Sequence, residues 1–141
     1  CIDQDRIGGA FHAIRVIPHG VEDETGNRPL SERARWLKHA DFFVGVSSGL
    51  AWLAWTAGTD VVMISGYTEP YNEFYTPYRI INRNVCNSCA NDINLALDFN
   101  DPFFCPRHKG TDRMFECSLA ISVKQVTKMI EKIPGFGVFS E

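Results

Sequence analysis

The sequence predicts an α/β fold with a parallel sheet, followed by a four-cysteine metal finger and a C-terminal helix. Three observations predict it. Two apolar strands, Phe42–Val46 and Val61–Ser65, flank a helix at Leu50–Ala57 with short turns between them, which makes a βαβ unit with parallel strands. Four cysteines follow between residues 86 and 117. Apolar residues then recur at helical spacing between residues 123 and 133.

The composition is that of one modest packed domain. Of 141 residues, 45% are apolar, which is typical of a chain with its own core. The 14 basic and 17 acidic residues give a net charge of -3 without any basic run, which argues against nucleic-acid binding. No apolar run approaches the ~20 residues of a membrane span. The start lacks an initiator Met and a signal peptide, so we expect the C-terminal part of a longer, cytoplasmic protein.

The elements before the βαβ unit are predicted from local signals. Ala13–Ile17 is typical of a short strand, and Ser31 is predicted to cap a helix that buries Ala34 and Leu37 and solvates its basic residues. The apolar run Phe42–Val46 predicts a strand that is buried on both faces.

The elements after the unit are predicted in the same way. An aromatic loop from Tyr67 to Tyr78 precedes a short strand at Arg79–Asn82. The alternation over Ile93–Phe99 predicts a β-ribbon strand. Ser122 is predicted to cap a final helix that ends at about Ile133, just before Pro134-Gly135.

The cysteine spacing predicts one structural metal ion. Cys86 and Cys89 form a C-x2-C pair, and Cys105 and Cys117 follow after 15 and 11 further residues. Two cysteines three apart chelate a tetrahedral ion from one turn, and two more close the site. Thiolates favour iron or zinc. With four protein ligands, no position stays open for substrate, so the metal would hold the fold.

Alternatives remain for this cluster. His108 lies three residues after Cys105, so three cysteines and a histidine are a rival ligand set. Unrelated buried cysteines or a redox C-x-x-C are further interpretations. Cys1 is isolated, and we expect it to be an ordinary strand residue.

The turn Ser47-Ser48-Gly49 is a candidate phosphate site. In open parallel sheets, ligands bind where strands end and helices begin. Gly49 allows close backbone approach, and a helix N-terminus carries free N–H groups and a partial positive charge. The same turn is often only a good helix cap. Trp52 and Trp55 share a face of the following helix; we expect Trp55 in the core, whereas Trp52 lies nearer the strand ends.

The stretch Asp41–Pro70 resembles the C-terminal domain of ADP-heptose-dependent heptosyltransferases. It reads DFFVGVSSGLAWLAWTAGTDVVMISGYTEP, and the family pattern is roughly Asp-Thr-Gly-Leu-x-His-Leu-Ala followed by a strand and Gly-Pro-Thr-x-Pro. The matching residues are Ser47, Ser48, Gly49, Leu50, Trp52, Leu53 and Ala54, then Gly66, Tyr67, Thr68 and Pro70. Ser47 replaces the Asp and Trp52 replaces the His, so the lipopolysaccharide-core enzymes are not the closest match.

A closer resemblance covers nearly the whole chain. The stretches PYNEFYTPYRIINRNVCNSCANDI and FFCPRHKGTDRMFEC are similar to the bacterial autotransporter heptosyltransferases. The βαβ block and the cysteine block occur in that family's order. The resemblance implies a GT-B glycosyltransferase that transfers heptose from ADP-heptose to serines of an autotransporter adhesin. It also implies one iron ion (Fe3+, with zinc as the alternative) on the four cysteines, and assembly into a large cytoplasmic ring.

The resemblance also implies which residues bind the donor. They are Ser47, Ser48, Gly49, Leu50, Trp52, Thr68, Glu69 and Asn72; Asp3 is a weaker candidate for the ribose. The family's catalytic acid belongs to an N-terminal half outside this chain, so no catalytic residue is named. The implied organisation is a partial donor-binding Rossmann-like domain over 1–82, the metal finger over 83–120 and a C-terminal helix over 121–141.

Two other roles remain possible. One is a non-enzymatic zinc-ribbon-type module that binds a protein through its aromatics. The other is compatible with the enzyme: Phe103, Phe104 and Phe115 beside the finger would form a subunit interface.

Overall fold

A three-stranded parallel sheet forms the centre of the structure, a computed structural model that describes residues 1–4, 16–98, 100–101 and 104–137. Its strands are ordered β3–β4–β5, with Phe43 opposite Val61 and Ile64 opposite Ile80. A second sheet pairs β1 with β2 in parallel. The elements are β1 Ile2–Asp3, β2 Glu24–Thr25, α1 Leu30–Lys38, β3 Phe43–Val46, α2 Gly49–Thr56, β4 Val61–Ser65, β5 Arg79–Ile81, α3 Glu116–Leu119 and α4 Val123–Ile130, with single 3-10 turns at Pro70–Asn72 and Cys89–Asn91.

Helices cover both faces of this sheet. On one face, α1 and α2 enclose a core that includes Leu37, Ala54 and Met63. On the other face, α4 and the residues after it pack Ile133 against Val62 and Ile80. The β3–α2–β4 unit with parallel strands is therefore present as predicted, within a mixed α/β fold.

The two strands of that unit differ in burial. Val61, Val62 and Met63 of β4 are at most 2% exposed, as expected of a central strand. In β3, however, Val44 is 38% and Val46 51% exposed. The prediction that β3 is buried on both faces was wrong, because among the described residues β3 is one of the two edge strands and α4 packs nearer to β4 and β5.

Helix α1 differs from its prediction in two ways. Pro29, not Ser31, occupies the N-cap position, and Ser31 lies in the first turn. Proline fixes φ near the value that a helix start requires. The basic face is not wholly solvated either: Arg33 is 3% exposed. Its guanidinium donates to the carbonyls of Asp3, Glu24 and Gly26, so it joins the second sheet to α1.

Helix α2 buries its small residues and exposes its large ones. It begins at Gly49, and Gly58, with φ +83°, follows its end. Ala51 and Ala54 face the sheet at 0% exposure, whereas Trp55 is 46% exposed. The expectation that Trp55 lies in the core was wrong, because Ala51 and Ala54 occupy the buried face of α2. Trp55 instead stacks on Phe74, with ring centroids 5.2 Å apart.

The last third of the chain is mostly irregular. Of the predicted strand Ile93–Phe99, residues 93–98 form turns and irregular chain instead, and Ile93 is 97% exposed; Phe99 lies outside the described residues. Ser122 caps α4 as predicted, through a capping box with Gln125, but the helix ends at Ile130 rather than Ile133. Most of the predicted strand Ala13–Ile17, and Phe103, lie outside the described residues. No helix among the described residues is long and apolar enough to cross a membrane.

Candidate functional site

The Ser47-Ser48-Gly49 turn lies at the carboxyl end of β3, where α2 begins. Ser48 occupies the N-cap position of the eight-residue helix with φ -153° and ψ 170°, yet its side chain makes no capping hydrogen bond. A serine that served only as a cap would accept from the second or third N–H of the helix. The geometry therefore leaves both the Ser48 hydroxyl and the N–H groups of the first turn of α2 for a ligand.

A cavity of about 670 Å³ lies on one side of this turn. Four of the predicted donor residues line it from α2 and its cap, and Asp3 lines it from the end of β1. Arg28 and Arg33 are its basic side chains, but Arg28 pairs with Glu24 at 2.6 Å and Glu32 at 3.1 Å. A phosphate here would therefore depend chiefly on hydroxyl and backbone N–H donors. The four donor residues are Ser48, Gly49, Leu50 and Trp52.

A second cavity of about 380 Å³ lies on the other side of the turn. Ser47 and Thr68 line it from the loops that follow β3 and β4, and three of the four finger cysteines also line it. Ser47 and Ser48 are adjacent in sequence yet border different cavities. The turn therefore separates a larger cavity beside α2 from a smaller one beside the cysteines.

Glu69 and Asn72 line neither of these cavities. Both Glu69 carboxylate oxygens accept from Arg83 at 2.7 Å, and the Ser88 hydroxyl also donates to this carboxylate. These hydrogen bonds, Arg83 first, lower the pKa of Glu69 from 4.5 to about 2. Glu69 therefore ties the loop after β4 to the first turn of the finger, a role that its sequence position did not reveal.

The four finger cysteines interact electrostatically, whereas the group whose ligand atoms all lie within 4.8 Å of one another is Cys86, His108 and Glu116. Cys89 interacts electrostatically with Cys86 and Cys105, and Cys117 with Cys105 and Cys86. Burial, followed by the neighbouring Cys86, raises the pKa of Cys89 to about 11; burial chiefly raises the pKa of Cys117 as well. Arg107 acts in the opposite direction on Cys89, but burial outweighs it. A bound metal would hold such buried thiols as thiolates. By ligand type alone, four thiolates suit tetrahedral iron or zinc. Cys1 is exposed and lies just before β1.

His108, the alternative fourth ligand, was predicted to chelate together with Cys105, but its side chain lies beside Cys86. The ligand atoms of Cys86, His108 and Glu116 all lie within 4.8 Å of one another. Glu116 accepts from the Cys86 N–H at 2.9 Å and from Arg113 at 2.6 Å. Sequence reasoning missed Glu116, because an acidic residue next to a cysteine carries no spacing signal of its own.

The comparisons with known proteins agree on one family. No family model matches the chain. The crystal structure of TibC, a dodecameric iron-containing heptosyltransferase in complex with ADP-D-beta-D-heptose, superposes with a TM-score of 0.86 at 48% identity. The match covers 94% of this chain and 35% of the TibC chain. The autotransporter heptosyltransferase BAHTCr of Citrobacter rodentium is 48% identical over 133 residues, which are 94% of this chain and 32% of that protein.

The chain resembles the C-terminal part of the autotransporter heptosyltransferases in sequence and in fold. The family resemblance predicted from the βαβ and cysteine blocks is thereby confirmed. The chain spans about a third of the length of the curated heptosyltransferases that it matches. One relative carries a qualification: BimC of Burkholderia thailandensis, 53% identical over 137 residues (96% of this chain and 32% of BimC), is an inactive autotransporter heptosyltransferase.

Proposed function

We propose that this chain is the donor-binding portion of a protein O-heptosyltransferase that transfers heptose from ADP-heptose to serines of an autotransporter adhesin. One observation carries the proposal. The N-terminus of α2, where the Ser48 side chain makes no capping hydrogen bond, lies between two cavities. The structural relative TibC binds ADP-D-beta-D-heptose. The proposed organisation is one Rossmann-like half of a GT-B enzyme over 1–82, the metal finger over 83–120 and the C-terminal helix over 121–141.

The donor would lie across the Ser-Ser-Gly turn. The larger cavity, which Asp3 and Trp52 line, offers room for the nucleoside, and the pyrophosphate would accept from Ser48 and the first N–H groups of α2. The smaller cavity, with Ser47 and Thr68, would take the sugar. When the bond between heptose and diphosphate breaks, negative charge grows on the leaving ADP. The partial positive charge at the start of α2 would stabilise that charge.

Four thiolates, from Cys86, Cys89, Cys105 and Cys117, would hold one iron ion, with zinc as the alternative. TibC is iron-containing, and electrostatic interactions link the four thiols here. With four protein ligands, the ion would leave no open position for substrate. The metal would stabilise the finger, while a residue outside this chain performs the transfer. Ring assembly and a cytoplasmic location are further parts of the proposal.

Gly49→Ala in the full-length protein tests the donor site directly. An added Cβ at Gly49 would meet no atom within 4 Å, so the fold should tolerate alanine. It would, however, obstruct a phosphate that approaches the backbone. By isothermal titration with ADP-heptose, we expect Gly49→Ala and Ser48→Ala each to weaken binding by about tenfold, the scale of one lost charge-assisted hydrogen bond. Ser31→Ala, an exposed position on α1, is the control. Unchanged binding in both variants would reject this placement of the donor.

A second candidate is a homologue that binds the donor without transferring the sugar. The inactive relative BimC favours it, because 53% identity does not separate active from inactive members. A radiolabelled heptose transfer assay on a co-expressed autotransporter passenger decides between them. Donor binding without transfer supports the second candidate, and neither binding nor transfer favours the non-enzymatic interaction module.

A further inference from the structure

The Arg107 guanidinium contacts three residues of the segment 86–92, which contains the first cysteine pair. Its Nη1 donates to the carbonyl oxygen of Asn87 at 2.9 Å, and its Nη2 to Asp92 Oδ2 at 2.6 Å. The same Nη1 lies 3.5 Å from the Cys86 sulfur, within hydrogen-bond distance for sulfur. The two oxygen contacts orient the planar guanidinium, so that its N–H group is held against the thiol.

We infer that Arg107 donates a charge-assisted hydrogen bond to the metal-bound sulfur of Cys86 and thereby favours the more negatively charged state of the metal centre. The inference rests on the metal centre proposed above and goes beyond it, because it assigns an arginine that is not a ligand to the tuning of the ion. Arg107 is a positioning and charge-setting residue, not a catalytic one.

The formal charges of the ferric and ferrous states determine the direction in which Arg107 shifts the reduction potential of the iron. Ferric iron with four thiolates carries a net charge of about -1, and ferrous iron with four thiolates about -2, by addition of formal charges. A cationic N–H group at one sulfur stabilises the more negative ferrous centre more than the ferric centre. Hydrogen bonds to sulfur and nearby charge are among the features that set the reduction potentials of iron–sulfur sites. Arg107 should therefore raise the potential at which the iron is reduced.

Cys86 has further charged neighbours besides Arg107. Glu116 accepts from its backbone N–H, and Arg113 pairs with Glu116 at 2.6 Å. Arg113 therefore lies near the same cysteine, but its side chain donates its hydrogen bonds to the Glu116 carboxylate rather than to sulfur. This difference makes Arg113 a matched control: an arginine of the same finger whose removal changes the net charge equally without removing a sulfur hydrogen bond.

The experiment is a spectroelectrochemical titration of the iron-loaded, full-length protein, followed by the absorbance of the sulfur-to-iron(III) charge-transfer band. For Arg107→Met we expect the ratio of ferrous to ferric affinity to fall by roughly tenfold, which for a one-electron couple lowers the midpoint potential by about 59 mV. Arg107→Lys keeps the charge without the planar fork and should fall between Arg107→Met and wild type. Arg113→Met should shift the potential by less than half as much as Arg107→Met.

A purely structural role for Arg107 predicts a different result. The contacts to Asn87 and Asp92 would then affect stability, while the potential of the remaining folded protein stays at the wild-type value. An unchanged potential in Arg107→Met, or equal shifts in Arg107→Met and Arg113→Met, would overturn the inference. If Arg107→Met does not retain iron, the Arg107→Lys variant is the test, and a wild-type midpoint potential in that variant would overturn the inference. A wild-type protein that cannot be loaded with iron overturns it too, whereas failure to bind ADP-heptose would reject the proposed function alone.

Discussion

Gly66, the first residue after β4, lies directly against the backbone of Cys117. A Cβ built on Gly66 would lie 2.7 Å from the Cys117 Cβ and 2.9 Å from its carbonyl oxygen. The Gly66 carbonyl also accepts from the Ser88 N–H at 2.6 Å, and the Tyr67 carbonyl from Ala90 at 3.0 Å. The end of the central strand therefore packs between the turn at Ser88 and the backbone of Cys117, so the sheet and the finger contact each other directly.

Gly66→Ala should destabilise the protein. The atoms that the new Cβ would meet are mainly backbone and Cβ atoms of Cys117, which cannot move aside as a flexible side chain would. Overpacking of this kind typically costs about 1–3 kcal/mol. Denaturant unfolding of the metal-loaded protein measures it. Gly49→Ala, where the added Cβ would meet nothing within 4 Å, is the matched control, and equal midpoints for the two variants would contradict the close packing.

Glu69→Gln should weaken the anchoring of the finger and change how stability depends on pH. Hydrogen bonds from Arg83 and then Ser88 lower the folded-state pKa of Glu69 from 4.5 to about 2. A depressed carboxyl pKa contributes stability that is fully present above about 4.5 and is lost as pH falls towards 2. Relative to wild type, the variant should be less stable at pH 7, and the difference should shrink over that range.

The control for this pH prediction is the double-mutant cycle with Arg83→Gln. Because the two side chains share both hydrogen bonds at 2.7 Å, the double variant should lose less stability than the sum of the single variants. Additive losses, or a Glu69→Gln difference that stays constant from pH 6 to pH 2, would show that the pair does not stabilise the loop.

The central part of the fold was predictable from the sequence because its signals are local. Apolar runs with short turns identified the β3–α2–β4 unit, and Ser122 with Gln125 supplied a recognisable capping box. The alternation at Ile93–Phe99 misled, because an alternating pattern says nothing about whether a neighbouring strand exists to pair with. Ile93 is fully exposed as a result.

The sequence predicted which residues belong to the candidate site better than it predicted how those residues are placed relative to one another. The turn and the cysteines were identified by type and spacing, but the separation of Ser47 from Ser48 by two cavities depends on the backbone direction at the end of β3. The roles of Glu69 and Arg107 depend on contacts across 14 to 21 residues. No local pattern encodes such pairs, since each forms only after the finger has folded back on the strand ends.

Arg33→Met should be strongly destabilising although α1 is otherwise a surface helix. Arg33 is 3% exposed and donates to three carbonyls from β1, β2 and the turn at Gly26. Methionine keeps the apolar stem but removes all three of these hydrogen bonds, although the Asp3 carbonyl keeps another donor, the Gly26 N–H at 3.0 Å. We expect a loss of about 2–4 kcal/mol in total. Thermal unfolding measures the change. Arg35→Met, exposed on the same helix, should change stability by less than about 0.5 kcal/mol; similar losses in both would contradict the structural role of Arg33.

Cys89→Ser should remove the metal and, with it, the assembly that we propose for the full-length protein. Cys89 is 6% exposed and interacts with Cys86 and Cys105, and serine is a poor substitute for a thiolate towards iron or zinc. Plasma emission spectrometry should find less than half of the wild-type metal content, and the melting temperature should fall because metal binding and folding are coupled.

The assembly part of this prediction has a physical reason and a control. Phe104 and Phe115 line the cavity beside the cysteines, and Phe104 packs edge-on against Tyr67 at 5.6 Å. Loss of the metal should therefore disorder both the aromatic flank and any subunit contact built on the finger. Light scattering after size exclusion should report a smaller species for Cys89→Ser but not for Cys1→Ser, whose thiol is exposed and outside the finger. Wild-type metal content in Cys89→Ser would reject the four-cysteine centre. An intact oligomer without metal would show that assembly does not depend on the metal-bound finger.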